Sequence, residues 1–195
     1  MSIIATDLDG TIFKGQTLID GVKEGLLKII NEGIEIYYTT NNSSQTPSEI
    51  KDKLENLIQL DIDISKIITP LVIFQNLYSD DKLNIFIYGS ENLKKYIKNL
   101  NMNVTSLENA ELVLIGRKEE NNFSEINEII KSVSIGKNIL SLNKDLTFPT
   151  EFGEKAGNGA VVKIIEDELS ISIPTLGKSG DHYSCLLYTS PSPRD

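Results

Sequence analysis

Asp7 and Asp9 stand two residues apart directly after the apolar run Ile3-Ile4-Ala5, where a buried strand would end. In an extended chain, residues i and i+2 project to the same face. The two carboxylates therefore crowd their charges together unless a cation or a phosphoryl group offsets them. Gly10 lets the chain turn sharply away. Taken alone, such an acid pair also reads as a solvated turn. Hydroxyls and amides follow further on, in Thr40-Asn41-Asn42-Ser43-Ser44, and such groups can hydrogen-bond phosphoryl oxygens without adding charge. By itself, that run also reads as a loop capping the next helix.

Positioning these groups requires a strand, a helix and a second strand. Residues Val22 to Ile30 carry apolar side chains at Val22, Leu26, Leu27, Ile29 and Ile30, which predicts an amphipathic helix closed by Gly33. Ile34 to Thr39 is rich in β-branched and aromatic residues and predicts a strand. Two strands joined through a helix pair in parallel with a right-handed crossover, so their ends open on one edge of the sheet and make Asp7 and Thr40 neighbours. A second helix is expected from Thr46 to Leu60, with Pro47 in its first turn and Ile50, Leu54, Leu57 and Ile58 on one face. After Lys66-Ile67-Ile68-Thr69-Pro70, the runs Leu83–Gly89 and Glu111–Gly116 predict strands of a further α/β unit, and Gly159 to Leu169 predicts a helix. Gly157-Asn158-Gly159 follows no clear strand and lacks G-x-G-x-x-G spacing, which argues against a dinucleotide loop.

Asp7-Leu8-Asp9-Gly10-Thr11 after an apolar strand resembles the first motif of the haloacid dehalogenase superfamily, and Thr40-Asn41-Asn42-Ser43-Ser44 resembles the second motif of its NagD-like branch. The stretch Leu142 to Glu151, with an Asn143-x-Asp145 pair, is similar to the cap segment of that branch, although a polar turn before Pro149 is the other reading of the pair. Gly177-Lys178 is similar to its Gly-Lys-Pro motif, but Ser179 stands where the branch has Pro. The resemblance implies an α/β fold, a Rossmann-like parallel three-layer core with an inserted α/β cap. It divides the chain into core (1–69), cap (70–170) and the start of a return to the core (171–184). It also implies a magnesium-dependent phosphomonoester hydrolase acting on a small phosphorylated metabolite. Asp7 would be the nucleophile that becomes an aspartyl-phosphate, and Asp9 the acid and then base. Lys178 would pair with nucleophile and phosphate. Thr40, Asn41, Asn42, Asn143 and Asp145 would contact substrate. Mg2+ would be held by Asp7 and the backbone carbonyl of Asp9. A phosphotransferase or mutase, or a non-catalytic binding protein on the same scaffold, is the alternative.

Residues 185–195 read as the in-frame translation of a widely used transposase sequencing adapter and are set aside from fold reasoning, with Ser179 to Ser184 ambiguous. His182 and Cys185 fall in or beside this tail and are assigned no chemistry. No Gly-Asp segment with a following acid appears after Lys178, so Gly180-Asp181 reads as a chance pair. On that reading the magnesium shell is short of ligands, the fragment is expected to be inactive, and the Asp7 strand has an open edge that invites self-association. A net charge of −9 over 195 residues argues against sequence-independent nucleic-acid binding. A single Cys rules out an intramolecular disulfide framework, and no long uncharged apolar run could span a bilayer. Met1-Ser2 leads straight into the strand with no signal peptide. These features fit a cytoplasmic enzyme.

Overall fold

The computed structural model describes residues 2–79, 82–150 and 153–183. The chain opens with β1 (Ile3–Asp7), a short hairpin of β2 (Phe13–Lys14) and β3 (Thr17–Leu18), helix α1 (Val22–Asn31), β4 (Glu35–Thr39), helix α2 (Pro47–Ile58) and, after a 3-10 turn, β5 (Ile67–Ile68). The strands β1, β4 and β5 form a parallel sheet in the order β1-β4-β5. In its register Asp7 lies opposite Thr39, so Asp7 and Thr40 end their strands side by side.

Local chemistry sets these boundaries. Gly33, at φ +71°, takes the left-handed conformation that ends α1 and turns the chain into β4. Thr46 caps α2 by accepting from the Glu49 N–H at 3.2 Å, while the Glu49 carboxylate accepts from the Thr46 N–H at 2.7 Å. Ile50, Leu54 and Ile58 repeat along one face of α2 and are buried with Leu8, Phe13, Leu26 and Ile36.

Beyond β5 come α3 (Pro70–Tyr78), β6 (Asn84–Tyr88), α4 (Glu91–Asn99), β7 (Asn103–Val104), β8 (Leu112–Ile115), α5 (Phe123–Ser134) and β9 (Asn138–Ser141). Their strands make a second parallel sheet in the order β7-β6-β8-β9. All four residues of β8 are buried, as a central strand covered on both faces requires. An antiparallel hairpin, β10 (Thr147–Thr150) and β11 (Gly153–Ala156), and helix α6 (Asn158–Leu169) complete the regular elements. One core cluster contains Tyr37 and Ile68 of the first sheet together with Leu114 and Leu140 of the second, so the two sheets share packed interior. Among the described residues, no helix is long and apolar enough to cross a membrane.

Two expectations are corrected, and the path of residues 171–183 adds detail that the sequence does not carry. β1 is not a buried strand: Ile3 and Ile4 are 44% and 37% exposed, because among the described residues β4 alone pairs with it. Gly157 does follow a strand, β11, whose side chains are all exposed and which therefore leaves no apolar trace in the sequence. That strand belongs to a hairpin rather than a parallel crossover, so the missing glycine spacing is what still speaks against a dinucleotide loop. Residues 171–178 do not simply rejoin the first sheet. Thr175 bridges Ser141, with the Ser141 N–H donating to Pro174 O and the Leu176 N–H to Ser141 O, both at 2.9 Å, because the edge of β9 offers free backbone groups.

Residues 179–183 pack against these elements, and Gly180 sits in close backbone contact. A Cβ there would lie 1.9 Å from Thr175 O, and its N–H donates to Gly177 O at 2.7 Å. Tyr183 is buried, and its hydroxyl lies 3.1 Å from Ile68 O and 3.4 Å from Thr40 O. Burial pushes its phenol above the ordinary value, so it remains a neutral donor to the ends of β4 and β5. His182 is exposed, and Cys185 lies outside the described residues.

Candidate active site

The C-terminal ends of β1 and β4 and the loops after β8 and β9 converge on one cavity of about 370 Å³. Asp7, Asp9, Thr40, Asn41, Asn42, Asn143, Asp145 and Lys178 all line it. Ligands of parallel α/β sheets gather at such strand ends.

Asp7 is held by its own strand end. Its Oδ1 accepts from the Leu8 N–H at 2.7 Å and from Lys178 Nζ at 2.5 Å, and both contacts fall on this oxygen. Among the described residues, nothing bonds Oδ2. Gly10, at φ +81°, then folds the chain back so that its N–H reaches Phe13 O at 2.8 Å. This turn leaves Asp9 beside Thr40, whose hydroxyl donates to Asp9 Oδ2 at 3.3 Å and accepts from the Asn42 N–H at 3.0 Å. Lys53 of α2 lies 3.5 Å over the Phe13 ring. Burial pushes its ammonium below the ordinary value, and the negative charge of Asp9 opposes that shift.

The amide side chains of the loop after β4 are largely committed to structure. Asn42 uses Oδ1 to accept from the Ser44 N–H and hydroxyl, and its Nδ2 donates to Gln45 Oε1, which closes its own loop. Asn41 donates from Nδ2 to Asp145 Oδ1 at 3.0 Å and accepts at Oδ1 from the Lys178 N–H at 2.7 Å. It thereby ties the loop after β9 to the lysine. Asn143 is buried; its Nδ2 donates to Asn41 O at 2.9 Å and to Ser43 Oγ at 3.3 Å, and its Oδ1 accepts from the Asp145 N–H. Asn41 and Asn42 line the cavity with their side-chain amides hydrogen-bonded to neighbouring protein groups, and Thr40 stands beside Asp9.

Small residues make this convergence possible. A Cβ on Gly157 would fall 2.2 Å from Asp145 O, one on Gly159 2.2 Å from Lys144 O, and one on Gly177 3.0 Å from Asn41 Oδ1. Gly157-Asn158-Gly159 is thus a backbone-to-backbone contact holding the Asn143-Lys144-Asp145 loop. Between the two glycines, Asn158 is buried and donates from Nδ2 to Asn143 O at 2.7 Å, Ser141 Oγ at 2.9 Å and Ile115 O at 3.2 Å. Its Oδ1 is buried without a partner among the described residues.

Sequence reasoning missed Arg117, Phe148 and Asn158, all of which line the cavity. The signal for Arg117 was its place right after Gly116 at the C-terminal end of β8. Phe148 and Asn158 are brought in by tertiary packing alone. The oxygen donors of Asp7 and Asp9 suit a hard cation that keeps several waters, as magnesium does. Among the described residues, no third His, Cys, Asp or Glu joins them in a group that could hold a metal.

Known proteins share this sequence pattern and fold. The family model of haloacid dehalogenase-like hydrolases matches residues 4–103. An acid sugar phosphatase of Staphylococcus epidermidis is 28% identical over 174 residues, covering 88% of this chain and 67% of that protein. The structure of a mutant of a thermostable p-nitrophenylphosphatase from Bacillus stearothermophilus superposes with a TM-score of 0.78 at 27% identity, covering 98% of this chain and 76% of that one. A 4-nitrophenylphosphatase from Thermotoga maritima shares the fold, with a TM-score of 0.83 at 21% identity over 97% of this chain and 73% of that one. With the acid pair at one strand end, Thr40 at the next and Lys178 on Asp7, the chain belongs to the haloacid dehalogenase-like hydrolases.

Proposed function

We propose that this chain carries the nucleophile and the acid of a magnesium-dependent phosphomonoester hydrolase that works through an aspartyl-phosphate on Asp7. The observation that supports this most is the asymmetry at Asp7, where Oδ1 is anchored by the Leu8 N–H and Lys178 and Oδ2 is left without a bond among the described residues. An anchored carboxylate with one free oxygen is oriented to attack.

Asp7 Oδ2 forms a bond to phosphorus as the ester P–O bond breaks, and Asp9 donates its proton to the departing oxygen. Asp9, now a carboxylate, takes a proton from water, which attacks phosphorus and breaks the P–O bond to Asp7, releasing inorganic phosphate. Thr40, donating to Asp9 Oδ2, positions that carboxyl for both transfers. Lys178 offsets charge at Asp7 and on the phosphate. The Asp7 carboxylate and the Asp9 carbonyl would hold Mg2+, which supplies positive charge against which two anions can approach.

Residues 70–170 act as a cap whose loops after β8 and β9 roof the cavity, exclude water and select the substrate. The substrate is a small phosphorylated metabolite. The sugar phosphatase and nitrophenylphosphatase relatives make sugar phosphates and p-nitrophenyl phosphate the first probes. We place the enzyme in the cytoplasm, without nucleic-acid or membrane partners, and expect the open edge of β1 to support self-association. With no third acidic ligand beside Asp7 and Asp9 among the described residues, this chain alone is expected to be inactive or nearly so. The test is therefore phosphate release from p-nitrophenyl phosphate over long incubations. Release that needs magnesium and disappears in Asp7→Asn supports the reading, and equal release by Asp7→Asn contradicts it.

A further inference from the structure

Lysines at and near the cavity have carboxylate partners: Lys178 pairs with Asp7, Lys144 with Glu166 and Lys118 with Glu125. Arg117 does not. It lines the same cavity as Asp7 and lies half-buried, and among the described residues no carboxylate comes within ion-pairing distance of it. Its guanidinium carbon sits 3.6 Å over the centre of the Phe148 ring. A cation over an aromatic face is held by the ring's negative quadrupole, and a guanidinium so held keeps N–H donors with which to meet a planar anion. Partial burial pushes the group below its ordinary value, and the exposed Glu119, acting at longer range, opposes the shift. Arginine stays charged regardless. A half-buried cation with no partner is costly, and an entering anion offsets the cost.

Position matters as much as charge. Asp7 ends a strand of the first sheet, whereas Arg117 follows β8 of the second, so a ligand held at both would bridge the two sheets. We infer that Arg117, steadied by Phe148, is a specificity-determining residue that receives a second anionic group, a carboxylate or another phosphate, at the end of the substrate remote from the ester. The inference rests on the phosphatase reading for the ester end and names the chemistry of the other end.

The test is equilibrium binding in an Asp7→Asn background with magnesium, where removal of the nucleophile leaves the ligands intact. 3-Phosphoglycerate is compared with glycerol 3-phosphate, and fructose 1,6-bisphosphate with fructose 6-phosphate. The expected result is a preference of about tenfold or more for the ligand carrying the extra anion in at least one pair, as one charge-assisted fork confers. The pair in which it appears separates carboxylate from phosphate. Arg117→Met, which keeps apolar contact with Phe148, should erase the preference without weakening the singly anionic ligand, and Arg117→Lys should retain part of it. Equal binding within both pairs, or a preference that survives Arg117→Met, overturns the inference. Turnover of p-nitrophenyl phosphate by the unaltered chain is scored separately. Turnover without a preference defeats this inference alone, and a preference accompanied by equal phosphate release in Asp7→Asn defeats the phosphatase reading alone.

Discussion

At the scale of single residues, the cavity divides into groups that react and groups that hold. Asp7→Asn keeps the size of the side chain but removes the nucleophile, and kcat on p-nitrophenyl phosphate should fall by about four orders of magnitude or more. Lys178→Met removes the cation 2.5 Å from Asp7; a loss of about 10²- to 10³-fold in kcat is expected, on the scale of losing one charge-stabilising donor. Steady-state kinetics under saturating magnesium distinguish these losses from a change in KM alone. Asp7, Asp9 and Thr40 were legible because strand polarity brings their strand ends to one edge whatever the rest of the chain does. Lys178 was legible through its Gly-Lys pair, but its hold on Asp7 was not. Asn41 and Asn42 show what a motif leaves out, since identity alone does not say whether an amide faces a ligand or closes its own loop. Arg117 and Phe148 come from separate segments, and no local pattern records their stacking.

Elements position the site through caps and close backbone contacts. Thr46→Ala removes the reciprocal cap with Glu49 at the start of α2 and should cost about 1 kcal/mol in urea unfolding, with little change in slope. Gly159→Ala places a Cβ 2.2 Å from Lys144 O and should cost more, about 1–3 kcal/mol, because backbone rather than a flexible side chain must yield. It should also loosen the Asn143–Asp145 loop and raise KM. Helices α1 and α2 and strands β4, β6 and β8 were readable from apolar period, since each carries the pattern of its burial, whereas the short parallel strands β5, β7 and β9 were not read. β11, polar and exposed, carries none. The pairing of Thr175 with Ser141 depends on which sheet edge happens to be near, a tertiary fact that a local window does not contain.

At the scale of the whole molecule, the two sheets are joined through shared core, and an ion pair ties α6 to the loop after β9. Burial would raise the Glu166 carboxyl, but Lys144, at 2.6 Å, and the Ile173 N–H, at 2.7 Å, more than offset it, so the group sits below its ordinary value. A depressed carboxylate stabilises the fold above its unfolded value, about 4.3, and that contribution is lost as pH falls through the folded value. Stability measured by urea unfolding should therefore drop in acid below about pH 4.5, and Glu166→Gln should flatten that drop while lowering stability at neutral pH. The division of labour between a first sheet bearing Asp7 and a second bearing the roof was legible as alternation of strand and helix, whereas their joint core, with Leu176 and Tyr183 placed inside it, was not. The central claim, that the chain is transiently esterified at its seventh residue, is tested most directly on the intact molecule by borohydride reduction during incubation with magnesium and p-nitrophenyl phosphate, followed by mass analysis of the peptides. An acyl phosphate on Asp7 is reduced to homoserine, so homoserine is predicted at position 7 and nowhere else. Phosphate release with an unmodified Asp7, or homoserine at Asp9 or Asp145 instead, would contradict it.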